Sequence, residues 1–152
     1  MSYISPDTGV IAEYIDLAGT FHPQAQAIIE SVLSGKLLAI IPHPILAETY
    51  YVSLRIYEKL KLKHPQQRSE KLVAWLYRSP NFSIAESSFE LALHAGRIKT
   101  NFGVALTDAY VLSAAKQYKA KAVFRIRERE MIKKLTELIR KYEVIFLEDY
   151  KV

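Results

Sequence analysis

The chain has 152 residues, half of them hydrophobic and 24% charged, the size and balance of one domain built on one core. Cysteine is absent, which excludes disulfides, thiolate zinc sites and a thiol nucleophile. Lys plus Arg number 21 against 16 Asp plus Glu, and the resulting formal charge of +5 points mildly towards a polyanionic partner.

Tyr3-Ile4 reads as a short strand ended by Pro6, and Val10 to Ile15 has helical spacing after Thr8-Gly9. His22-Pro23 opens a second helix, with Ala25, Ile28, Ile29, Val32 and Leu33 on one stripe, stopped by Ser34-Gly35. Leu37 to Ile41 reads as a buried strand. It is far shorter than the roughly 20 apolar residues of a membrane span. The N-terminus also lacks a basic segment followed by an apolar one, so a soluble, cytoplasmic protein with no membrane partner is expected. Pro42 and Pro44 lead into a helix from about Ile45 to Leu62, broken at His64-Pro65, and Gln66 to Tyr77 forms the next. Ser79-Pro80-Asn81 is a turn before the strand Phe82-Ser83-Ile84. Helices follow over Ser87 to Lys99 and Thr107 to Tyr118, then a strand at Ala122-Val123-Phe124, a helix from Met131 to Lys141 and a last strand at Val144 to Leu147. Strands and helices alternate over residues 1–152, which predicts a single α/β domain: an α/β/α sandwich with a mostly parallel central sheet and its ligand site outside the carboxyl ends of the strands.

Three isolated acids fall at that edge. Asp7 follows the first strand, Glu48 lies in the first turns of the helix after the second, and Asp108 opens the helix after Thr107. Each has an ordinary reading: Asp7 as a helix N-cap, Asp108 as a partner of its helix dipole, Glu48 as a partner of Arg55. Together they suggest something else. All three are flanked by apolar or small residues, and carboxylates gathered at one place repel unless a hard divalent cation neutralises them, which suggests Mg²⁺ or Mn²⁺ and phosphoryl chemistry.

The chain resembles the PIN-domain ribonucleases, most closely the small single-domain toxins of VapC type. The resemblance runs over nearly the whole length and rests on Asp7-Thr8 after the first strand, on Ile45-Leu46-Ala47-Glu48, and on Gly103 to Ala109 leading through Ala114-Ala115 to Lys121-Ala122-Val123. It implies a metal-dependent endoribonuclease in which Asp7, Glu48 and Asp108 are catalytic and hold Mg²⁺ or Mn²⁺; Thr8 and Thr107 are candidates to orient the carboxylates, or equally to cap their helices. It also implies RNA as substrate, a homodimer, and an antitoxin that inhibits the toxin near its cleft. The chain departs from the family at its fourth acid. Where family members often carry Thr-x-Asp-x-Asp-Phe, this chain reads Phe124-Arg125-Ile126-Arg127-Glu128-Arg129-Glu130-Met131. In one register Glu128 and Glu130 take the two Asp positions and Met131 the Phe, Glu128 being the preferred fourth ligand; one residue earlier, Arg127 falls on the acid's place.

Other features are weaker. Arg125, Arg127 and Arg129 are candidate contacts for RNA phosphates, although such a segment more often is a solvated charge run. Tyr50, Tyr51 and Tyr57 offer base-stacking surfaces or plain packing. The four histidines lack metal-ligand spacing, and neither a phosphate-binding Gly loop nor a serine-hydrolase elbow is present. The rival to a nuclease is a PIN-fold module that binds RNA or protein without catalysis.

Overall fold

The computed structural model describes residues 2–151. In chain order the elements are β1 (Ser2–Pro6), α1 (Thr8–Ile15), α2 (His22–Leu33), β2 (Leu37–Pro42), α3 (His43–Lys59), α4 (Pro65–Arg78) and β3 (Phe82–Ala85). Then come α5 (Phe89–Phe102), α6 (Leu106–Gln117), β4 (Lys121–Phe124), α7 (Arg129–Ile132), α8 (Leu135–Lys141), β5 (Val144–Phe146) and a closing 3₁₀ turn, Leu147–Asp149. The helix starts follow simple chemistry. Prolines preset the backbone angle in the first turns of α2, α3 and α4, where their missing N–H leaves no bond unmade. Asp7 and Ser88 cap α1 and α5 with side-chain oxygens. Gly103, in the left-handed region at φ 70°, ends α5 and turns the chain towards α6.

All five strands are parallel, in the order β3-β2-β1-β4-β5, with Ile4 of β1 in register with Ala39 on one side and Lys121 on the other. Right-handed crossovers then put α1 to α4 on one face and α5 to α8 on the other, an α/β/α sandwich. The central strands are buried on both faces and read as unbroken apolar runs: Ala39, Ile40 and Ile41 of β2 and Ala122, Val123 and Phe124 of β4. On α6 the small residues Ala109, Ala114 and Ala115 are buried and let that helix approach β1, β2 and β4 closely. The chain order reverses direction between β1 and β4, which opens a crevice beyond their carboxyl ends. The bond from Asp7 N to the Val123 carbonyl, 2.9 Å, fixes Asp7 at that crevice.

Two expectations are corrected. The segment Met131 to Lys141 is not one helix but α7 and α8, interrupted at Lys133-Lys134. Lys134 leaves helical geometry at φ −128°, and its ammonium donates to the Asn101 carbonyl at the end of α5, tying the break to the neighbouring helix. The helix expected to run to Leu62 ends at Lys59. Leu60 and Leu62 are among the exposed apolar side chains, so no burial rewards a further turn.

Candidate active site

Asp7 is held first by its backbone. As N-cap of α1 it sits in extended geometry and its Oδ1 accepts the Val10 N–H at 3.2 Å. That bond is the ordinary capping role, yet it occupies only part of a half-buried carboxylate. Burial above all, then the charge of Asp108 and more weakly that of Glu48, hold the Asp7 carboxyl well above the usual range, against the opposing backbone N–H groups of Val10 and Gly9. Gly9 is needed beside it: a Cβ there would come within 3.1 Å of both Asp7 Oδ1 and the Cβ of Arg125.

Asp108, in the first turn of α6, is 8% exposed. Burial, then the charges of Glu48, Glu128 and Glu130 in that order, push its carboxyl up to about 7, with a lesser opposite pull from Lys99. Glu48 is not paired with Arg55, whose guanidinium instead approaches the Tyr51 hydroxyl and ring. The Thr107 hydroxyl donates to Glu48 Oε2 at 2.8 Å, a bond across the carboxyl edge of the sheet that joins α6 to α3. None of Asp7, Glu48 and Asp108 takes part in an ion pair among the described residues. The fold has therefore brought like charges near one another with Lys99 as a weaker opposing cation and no direct ion pair among the described residues.

The segment after β4 divides. Met131 is buried, while Glu128 and Glu130 are exposed and both act on Asp108, Glu128 the more strongly. Arg125 Nε bonds to Glu13 Oε1 at 2.5 Å, with the guanidinium 5.4 Å from the Phe21 ring. Arg127 forms a fork on Asp149 with two bonds of 2.7 Å and a third to Glu148, lying over the Phe146 ring. Arg125 and Arg127 are thus engaged within the chain, and of the three arginines only Arg129 has no carboxylate partner among the described residues. Buried Glu13 also accepts the Phe21 N–H, a network missed from sequence because an acid inside an apolar helix gives no hint of a partner 112 residues away. Lys99 was missed too; its ammonium donates to the Val104 carbonyl, bracing the loop that leads into Thr107 and Asp108.

The donor set suits a hard divalent cation in kind. It is oxygen only, it is electrostatically uncompensated, and Thr8 Oγ1 beside it is buried with no protein partner. Among the described residues no three such side chains stand in a geometry that would grip one ion, so the fit is one of chemistry and placement.

A family model described as PIN domain matches residues 4–143. The chain belongs to the PIN-domain family. No curated protein matches it in sequence. Solved structures share the PIN fold at low identity. One is VapC20 of Mycobacterium tuberculosis, described as a toxin that cleaves the sarcin-ricin loop (TM-score 0.62, 16% identity, 78% of this chain and 86% of that one). A toxin-antitoxin complex from Klebsiella pneumoniae (0.61, 15%, all of both chains) is similar over the full length. So is VapBC2 of Rickettsia felis, bound to a DNA fragment from its promoter (0.60, 16%, 95% and 96%). No helix of the described residues is long and apolar enough to cross a membrane.

Proposed function

We propose that this PIN domain is a metal-dependent endoribonuclease, the toxin of a toxin-antitoxin pair. The observation that carries this reading is the pair of mutually repelling carboxylates, half-buried Asp7 and buried Asp108, at the topological switch point, with Glu48 near them and none of the three in an ion pair among the described residues. Asp7, Glu48 and Asp108 hold Mg²⁺ or Mn²⁺, with Glu128 as fourth ligand, or Glu130 in its place. Such an ion, when bound by these carboxylates, would supply Lewis-acid chemistry suited to phosphodiester hydrolysis. Thr107 fixes the rotamer of Glu48 through its hydroxyl, and the Thr8 hydroxyl is available to do the same for an inner-shell oxygen. Val10 N–H keeps one oxygen of Asp7 turned towards the helix and so leaves the other for the ion. Arg129 is free to meet RNA phosphates. The toxin role and an antitoxin partner are supported by the fold shared with toxin-antitoxin structures, and a homodimer is what the family resemblance implies.

The test is cleavage of a structured RNA with Mn²⁺ by the native chain and by Asp7→Asn and Asp108→Asn. Both variants should lose at least about 100-fold in rate, the scale of removing a group that acts in the transition state. Unchanged activity in both sinks the mechanism. A PIN-fold binder without catalysis is favoured by one feature, the arginine-rich segment Arg125 to Arg129 where the family carries its fourth acid, and its signature is RNA affinity without cleavage by the native chain.

A further inference from the structure

The excess positive charge of this chain is not spread evenly. Chain turns enter β4 and β5 at the amino-terminal edge of the sheet, the edge opposite the acids. There the last turns of α6 and α8 and the turns behind them enclose a concavity of about 550 Å³. Lys116, Lys119, Arg140 and Lys141 line it, with Tyr142 at its floor and Glu143 as its one acid. All four cations are exposed, and none of them forms an ion pair among the described residues. Lys116 is preset by a bond of 3.2 Å to the Lys141 carbonyl and lies 5.9 Å from the Tyr142 ring. Lys119 is set in the left-handed region at φ 55°, which turns the chain back on itself at the rim.

Cations near the ends of α6 and α8 complement the helix dipoles, and that accounts for Lys116, Arg140 and Lys141 one at a time. It does not account for their convergence with Lys119 on one hollow, where like charges repel and carboxylates could have been interleaved. A concave surface lined by one sign of charge concentrates ligands of the other sign. The groove offers ammonium and guanidinium donors without a wall of side chains shaped to read base edges, which suits a phosphate backbone.

We propose that this groove is a second binding site for the phosphodiester backbone of RNA, an anchor for substrate lying away from the scissile bond. It deepens the ribonuclease reading and rests on it. β4, which runs from the groove towards the acids, has four residues, so the two sites are separated by at least the length of that strand, on the order of 13 Å, and an RNA must pass around the sheet to engage both. The acidic edge repels RNA until an ion is bound there, whereas the groove attracts it unaided.

The test uses the full chain, and fluorescence anisotropy of a labelled structured RNA between 50 and 200 mM salt reads affinity without requiring cleavage. Lys119→Ala/Arg140→Ala should weaken binding at least tenfold at the low-salt end and reduce the slope of log affinity against log salt by about 1.4, two phosphate contacts at about 0.7 each. Lys61→Ala/Lys63→Ala removes the same charge from the exposed turn after α3 and should leave the slope unchanged. In cleavage assays the groove variant should raise KM at least fivefold with kcat within twofold of native. Equal slopes for native and groove variant, or equal losses in both double variants, overturn the anchor. If instead the groove variant keeps RNA affinity and loses binding of an acidic peptide, the occupant is protein and the RNA proposal falls. Absence of cleavage by the native chain would overturn the nuclease reading alone, because the anisotropy slope still decides the groove.

Discussion

At the scale of single residues, the site is governed by acids held where they are costly to ionise. Unfolded Asp108 releases its proton near 3.8 and folded Asp108 near 7, so between those values the native state binds more protons than the unfolded one. The stabilisation this group contributes is therefore complete below about pH 4 and is lost as pH rises towards 7, about 4 kcal/mol at most. Asp7 acts in the same direction. Ion-free protein should accordingly melt at a lower temperature at pH 8 than at pH 5, and Mn²⁺ should recover the difference at pH 8. Asp108→Asn should flatten the profile while removing cleavage. Scanning calorimetry of both proteins at the two pH values decides, and identical flat profiles would show that burial and neighbouring charge do not raise these carboxyls. Thr107→Val removes the donor to Glu48 and should cost about 10- to 100-fold in metal affinity or activity with the melting temperature nearly unchanged. The sequence made Asp7, Glu48 and Asp108 conspicuous because acids amid apolar neighbours are unusual. The engagement of Arg125 by Glu13 and of Arg127 by Asp149 was invisible, since partners 112 and 22 residues apart leave no local pattern.

At the scale of elements, apolar periodicity and punctuation by proline and glycine carried most of what could be read. The stripe of α2 and the aliphatic run of β2 became elements at the expected residues. The exceptions, the shortened α3 and the division into α7 and α8, lie where burial rather than propensity decides. The turn between α1 and α2 shows a related effect. Gly19 lies so close to the Glu13 carboxylate that a Cβ would collide with Oε2, so the turn wraps the buried acid only because that position has no side chain. Gly19→Ala should destabilise the fold by about 1–3 kcal/mol, read from the urea midpoint. Between α3 and α4, the buried Ser53 and Ser69 hydroxyls bond at 2.8 Å. Ser53→Ala should cost about 1–2 kcal/mol by stranding Ser69, and the double alanine variant should cost less than the sum of the single ones.

At the scale of the whole molecule, Asp7, Glu48 and Asp108 lie at the carboxyl edge of the sheet, whereas Lys116, Lys119, Arg140 and Lys141, in no ion pair among the described residues, lie at its amino edge. A homodimer follows from the family reading, and light scattering should give twice the 17.4 kDa chain mass, whereas a monomer at working concentration would remove that part of it. By itself the sequence determined the class of fold, because alternating helix and strand periods with short turns admit little besides a parallel sandwich, and it determined which acids lie next to strand ends and helix starts. Tertiary structure alone decided how those acids stand relative to one another. Strand order placed Asp7 at the switch between β1 and β4, the approach of α6 to α3 joined Thr107 to Glu48, and burial set the charge state of Asp108, each a consequence of contacts between residues far apart in the chain.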